Sequence, residues 1–299
     1  MEGGRDYMTV KKPGHQRHIS EVLDRYAFQI HTETFPGSSA NNALSLDQNG
    51  AILNNLRSAV HQQTRSSIAY GVGTLWMTAP HAGLNRRTVD AIKTAIQLGF
   101  TEIDGAQMYH TEMELGAAVE ESGIPRSAIA VTTKTMDLED VEASLEASLK
   151  RLQMDYVDMY LIHSPFVAKS KSHLQSSWSG MERCVKRGLA KKIGVSSFTS
   201  AHIDSILETA SIKPAVNQIE MHPYLQQPEL LTYLKQKGIP VQGFAALTPL
   251  TKAKGGPADA PCRALADKYG VSPAAVLLRW VIDQGATVEE VATNSPNEF

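Results

Sequence analysis

Cysteine is nearly absent: the 299 residues carry two, Cys184 and Cys262, which excludes a disulfide framework or a four-cysteine zinc ribbon and suits a reducing compartment. No apolar run approaches the ~18 residues that cross a bilayer, and the first 26 residues lack the apolar core of a secretion signal. The expected location is the cytosol, with no membrane partner. An excess of basic charge is missing too, with 29 Lys+Arg against 31 Asp+Glu, which argues against a nucleic-acid partner. What remains is the 42% apolar, 20% charged composition of a globular chain, long enough to bury a full core without staples.

The chain changes texture near residue 67. Residues 1–66 mix both signs of charge with scattered apolar residues that keep no period, and read as a poorly ordered extension. From Ile68 onward, short β-branched or aromatic runs alternate with amphipathic stretches, the pattern of a parallel α/β fold. Strands are expected to begin near Ile68, Phe100, Ile129, Tyr156, Lys192, Ala215, Pro240 and Thr287. Val141, Leu145, Leu149 and Leu152 fall on one helical face and read as core. One further absence chooses between two architectures. A doubly wound dinucleotide fold wants Gly-x-Gly-x-x-Gly after its first strand, but Gly71-Val72-Gly73 is followed by Thr74, Leu75 and Trp76. Eight strand signals instead fit a (β/α)8 barrel over residues 67–299, whose chemistry gathers at the C-terminal strand ends.

Four polar residues stand at those ends. Asp104 closes the second strand, Tyr109 follows it before a helix that Thr111 could cap, Lys134 closes the third strand and His163 the fourth. Any one of them could be a turn, packing or solvated residue; four on consecutive strand ends point to a site. They suit carbonyl reduction. A phenol must give a proton to the developing alkoxide, an ammonium beside it is expected to lower its pKa, an aspartate orients the ammonium, and an imidazole steadies the carbonyl oxygen.

Five motifs now carry a resemblance: Phe100-Thr-Glu-Ile-Asp-Gly-Ala-Gln-Met-Tyr, Val131-Thr-Thr-Lys, Leu161-Ile-His-Ser-Pro, Ile193-Gly-Val-Ser-Ser-Phe and Asn217-Gln-Ile-Glu-Met-His-Pro-Tyr. In order and spacing they resemble the aldo-keto reductases, and the segment Leu247-Thr-Pro-Leu-Thr-Lys-Ala-Lys-Gly-Gly-Pro is most similar to the fungal branch that reduces α-keto amides and conjugated polyketones. The resemblance implies a barrel that uses NADPH to reduce an aldehyde or ketone, acting as a monomer on a small-molecule carbonyl. It implies a catalytic tetrad of Asp104, Tyr109, Lys134 and His163. It places the nicotinamide carboxamide against Ser196, Ser197 (where asparagine is usual) and Gln218, and the nicotinamide face against Phe244. Gly73 and Thr74 match the loop after the first strand, while Leu247 and Lys252 belong to the loop after the seventh, which could close over the pyrophosphate.

The family's 2′-phosphate site would begin at Thr293, Asn294 and Ser295, with the chain stopping at Phe299 before the usual arginine and final helix. The barrel is therefore expected to lack its last helix. Val288-Glu-Glu-Val puts two acids into the eighth strand, which is expected to be distorted, since a strand covered on both faces tolerates carboxylates poorly; Glu289-Glu290 otherwise reads as an ordinary solvated acid pair. His202 and His222 stand too far apart for a metal pair. Other readings stay open at this point: a cofactor-sensing interaction barrel, an inactive truncated product, and an aldolase using Lys134 as a Schiff-base amine.

Overall fold

The computed structural model describes residues 68–73, 76–79 and 83–290. The extension at residues 1–66, Thr74 and the Thr293–Ser295 segment lie outside them, as does the place of any final helix. Eight strands alternate with helices: β1 (Ile68–Gly71), α1 (Arg86–Gln97), β2 (Glu102–Asp104), α2 (Glu112–Glu121), β3 (Ala130–Thr135), α3 (Val141–Leu152), β4 (Val157–Ile162), α4 (Lys171–Lys186), β5 (Ala190–Ser196), α5 (Ser200–Leu207), β6 (Asn217–Glu220), α6 (Pro228–Lys237), β7 (Val241–Phe244), α7 (Asp259–Tyr269), α8 (Pro273–Asp283) and β8 (Thr287–Glu290). Each strand pairs in parallel with the next, and β8 returns to β1, closing the barrel.

The elements follow from local chemistry. The α3 stripe Val141, Leu145, Leu149 and Leu152 is buried, as its spacing requires. Asp140 caps the helix by accepting from Ala143 N at 2.9 Å, and Lys150 and Arg151 in the last turn suit its negative end. The α2–α3 crossing is tight because Gly116 has no side chain: a Cβ there would stand 2.1 Å from Leu152 O. Beneath α2, buried Glu112 accepts from Thr133 Oγ1 and Arg151 Nε, both at 2.6 Å.

Two expectations fail. The eighth strand is regular rather than distorted, with Ala69↔Glu289, Tyr70↔Glu290 and Phe244↔Glu289 in register. Its acids are accommodated separately: Glu290 Oε2 accepts from Leu247 N at 3.1 Å, while Glu289 is buried rather than solvated. Thr111 does not cap α2 through its side chain; its Oγ1 donates to Val72 O at 3.3 Å, tying the loop to β1.

Candidate active site

Residues paired across adjacent strands point to the same side of a sheet, so register decides who meets whom. Asp104 ends β2, Lys134 lies near the end of β3, and His163 follows β4, its N donating to Thr135 O at 2.8 Å. Lys134 Nζ donates to Asp104 Oδ1, in a fully buried ion pair, and to Gly105 O at 3.0 Å. Tyr109 ends a 3₁₀ turn over Gln107–Tyr109. That turn is fastened to the barrel because Gln107 Oε1 accepts from Thr135 Oγ1 at 3.2 Å and Ser144 Oγ at 3.1 Å. It is fastened to the first loop because Tyr109 O accepts from Thr78 N at 3.2 Å.

The four side chains meet. Tyr109 Oη lies 3.5 Å from His163 Nε2, with the rings edge to face, and Lys134 Nζ lies 5.3 Å from the phenol centroid. Gly73 keeps the other side open: a Cβ there would stand 3.4 Å from the Tyr109 ring.

Electrostatics assign protonation states. Burial pushes the Lys134 ammonium down, but the Asp104 carboxylate, through its charge and its hydrogen bond, leads the effects that outweigh it, so the pKa lies above the ordinary lysine value and Lys134 stays charged. A charged amine committed to Asp104 and Gly105 O is a poor nucleophile, which does not suit the aldolase reading. Burial and the Lys134 charge lower the His163 pKa to about 3, so the imidazole is neutral. Its Nδ1 is buried without a partner, and a lone pair there costs less than an orphaned N–H, which places the proton on Nε2, facing the phenol. The expected lowering of the Tyr109 pKa does not occur: burial raises it more than Lys134 lowers it. The consequence favours an acid, since the hydroxyl keeps its proton at neutral pH.

The remaining sequence-derived residues sit at the next strand ends. Ser196 is buried at the end of β5, opposite Gln218 on β6. Ser197 is held in the left-handed region (φ 62°), its N donating to Gln218 O at 2.8 Å. Asparagine tolerates that conformation better than serine, which gives the family's preference at this position a backbone reason. Phe244, half-buried, ends β7. Leu247 is buried with its N–H committed to Glu290, so it offers a side chain, not an amide, to any ligand. Lys252 is exposed in the following loop.

Two residues, Gln242 and Glu102, escaped sequence reasoning, and a third, Glu289, was read as solvated. Gln218 Nε2 donates to Asp104 Oδ2 and to Gln242 Oε1, both at 2.8 Å, and Gln242 Nε2 donates to Glu102 Oε1 at 3.2 Å. Glu289, on the same face as Phe244, adds a buried carboxyl whose pKa is raised by burial and by Asp104, against the pull of Lys134. The available signal was strand parity, since Gln242 interrupts an apolar run at an inward position.

The same residues test the fit of a nicotinamide cofactor. Among the described residues Gln218 Oε1 has no hydrogen-bond partner, although the Nε2 of the same amide has two. An acceptor left open beside a half-buried aromatic ring at the strand ends fits an amide-bearing aromatic ring.

The aldo/keto reductase family model matches residues 70–296. The chain belongs to the aldo/keto reductase family. A Schizosaccharomyces pombe NAD/NADP-dependent indole-3-acetaldehyde reductase is 38% identical to this aldo/keto reductase over 221 residues, 73% of this chain and 78% of that protein. Human aldo-keto reductase family 1 member A1 is 35% identical over 246 residues, 72% and 74% of the two chains. Among solved structures, a Brucella melitensis aldo/keto reductase matches with TM-score 0.67 and 32% identity over 77% of this chain and 84% of that one. A Bombyx mori aldo-keto reductase in complex with NADP matches with TM-score 0.67 and 31% identity over 77% and 80%. Membership makes the protein an NAD(P)-dependent oxidoreductase acting on small-molecule carbonyl compounds. Among the described residues no helix is long and apolar enough to cross a membrane.

Proposed function

We propose that this aldo/keto reductase uses NADPH to reduce an aldehyde or ketone to an alcohol, with Tyr109 as the proton donor. The observation that carries the reading is the Tyr109 hydroxyl, protonated by burial, 3.5 Å from a neutral His163 and beside the Lys134 ammonium. His163 Nε2–H and the phenol both present donors to one point on the rim, where a substrate oxygen would accept from each. As charge develops on that oxygen, the nearby ammonium favours proton transfer from Tyr109, and Asp104 holds the ammonium in place.

The reduced nicotinamide, when bound, supplies the hydride for the carbonyl carbon. Ser196, Ser197 and Gln218 would hold its carboxamide, Phe244 would cover one ring face, and Gly73 and Thr74 would border the same pocket. Lys252 is the proposed contact to the pyrophosphate, which both cofactors share, and the Thr293–Asn294–Ser295 segment is the proposed contact to the 2′-phosphate that favours NADPH. The 247–257 segment supports placement near the fungal α-keto amide branch. Three exposed apolar residues, Met77, Met108 and Phe166, stand in the loops after β1, β2 and β4, which supports an apolar carbonyl substrate.

The experiment follows NADPH consumption with a reactive dicarbonyl. Tyr109→Phe should abolish turnover and leave NADPH binding within about threefold of the parent. Unchanged turnover refutes the assignment of Tyr109, and tight NADPH binding by the unaltered protein without turnover would instead favour a cofactor-sensing role.

A further inference from the structure

The chain of amides inside the barrel has a direction. One atom of Gln218 stands 2.8 Å from both Asp104 Oδ2 and Gln242 Oε1. Asp104 is the ion-pair partner of Lys134 and can only accept, so that atom is nitrogen. Its second hydrogen must then go to an acceptor, which fixes the near atom of Gln242 as its carbonyl oxygen. The far atom of Gln242 is consequently nitrogen and meets a carboxyl oxygen of Glu102 at 3.2 Å. Four residues on β2, β6 and β7 thus admit a single assignment of donors and acceptors. A single bond to Asp104 would leave the Gln218 amide free to rotate about that contact. The second bond, to Gln242, defines the amide plane and with it the direction of Oε1.

We propose that Gln242 is a positioning residue of this enzyme: by taking the second N–H of Gln218 it aims the Gln218 carbonyl oxygen at the rim, so that this subsite selects a ligand offering an amide N–H. The inference rests on the reading that the nicotinamide carboxamide lies against Gln218. Gln242 itself is buried, and its two amide atoms are taken by Gln218 and Glu102, so it acts only through its neighbour.

Two cofactors separate the possibilities: NADP⁺, and its 3-acetylpyridine analogue, in which a methyl group replaces the amide nitrogen. Dissociation constants are measured by quenching of tryptophan fluorescence, with no substrate present. The parent protein should prefer NADP⁺ by about tenfold, the value of one well-made hydrogen bond in a desolvated site. In Gln242→Met, close in size but without an amide, the preference should fall to about threefold or less. The exchange Glu102→Gln with Gln242→Glu still accepts from Gln218, keeps the local charge and the bond between positions 102 and 242, and should keep the tenfold preference. Gln218→Leu should lose it entirely.

Retention of the parent preference in Gln242→Met, or its loss in the Glu102→Gln, Gln242→Glu exchange, overturns the proposal. If instead Gln218→Leu keeps the preference, it is the placement of the carboxamide against Gln218 that fails. A cooperative urea transition is required of each variant, and a Gln242→Met that does not fold is replaced by Gln242→Leu, read in the same way.

Discussion

Replacing Glu289 by glutamine isolates one buried charge. Glu289 is 8% exposed and faces the Asp104–Lys134 pair, with Glu102 and Glu290 as further acids in its field. One ammonium already has a carboxylate partner, so a second anion beside it is poorly compensated, and the folded protein holds a proton on Glu289 well above the ordinary carboxylate pKa. The sign follows from linkage. Below about pH 4 the folded and unfolded chains both carry this proton and the variant differs little from the parent. As pH rises, the unfolded chain releases it first, and the parent loses about 1.4 kcal/mol per pH unit from this group until the folded-state pKa is passed. Glu289→Gln, isosteric and unable to ionise, escapes that loss. Its stability advantage should therefore be near zero at pH 4.5 and reach on the order of 2 kcal/mol or more at pH 8, in keeping with the cost of an imperfectly paired buried ion. Urea unfolding followed by circular dichroism at four pH values measures it. Parallel curves for parent and variant, offset equally at every pH, would show that Glu289 is ionised in the folded protein and refute the reasoning.

Other perturbations test other contacts. Gly116→Ala forces a methyl group onto the Leu152 carbonyl and should cost about 1–3 kcal/mol in urea unfolding, whereas Gly123→Ala, in open space but at φ 70°, should cost about 1 kcal/mol. Arg151→Met removes the cationic partner of Glu112, whose side chain is 1% exposed, and should cost about 3 kcal/mol in urea unfolding at pH 7. Since His163 is neutral down to about pH 3, kcat/KM should show no acid limb from this group above pH 4, and a limb near pH 6.5 that disappears in His163→Gln would contradict that state.

Much of the barrel was legible because each layer repeats a local rule. Strands expected near Ile68, Tyr156 and Thr287 begin at Ile68, Val157 and Thr287, since apolar runs in covered parallel strands leave little room for another start. The position of His163 was legible for a related reason: it directly follows the apolar run Tyr160-Leu161-Ile162 that closes β4. What stayed hidden depends on distance rather than pattern. Whether Lys134 or burial governs the Tyr109 phenol is decided by how deeply the hydroxyl is enclosed, which spacing along the chain does not encode. Glu289 was misread because an adjacent acid pair has no inherent direction; only the pairing with Ala69 and Phe244 turns one member inward. Gln242 stands directly opposite Gln218, 24 residues away along the chain, and that coincidence is a property of the closed sheet.

The amide chain between Glu102 and Asp104 also bears on how such a barrel can change over generations. Each member satisfies a polar group of the next, so an apolar substitution at Gln242 alone strands both the second N–H of Gln218 and the carboxyl of Glu102 in the interior. The accessible route away from this arrangement is a concerted replacement in which positions 102 and 218 change together with 242, since Gln242 serves both neighbours. Descendants and ancestors of this chain should accordingly keep positions 102, 218 and 242 polar or change them together, and partial combinations should be transient.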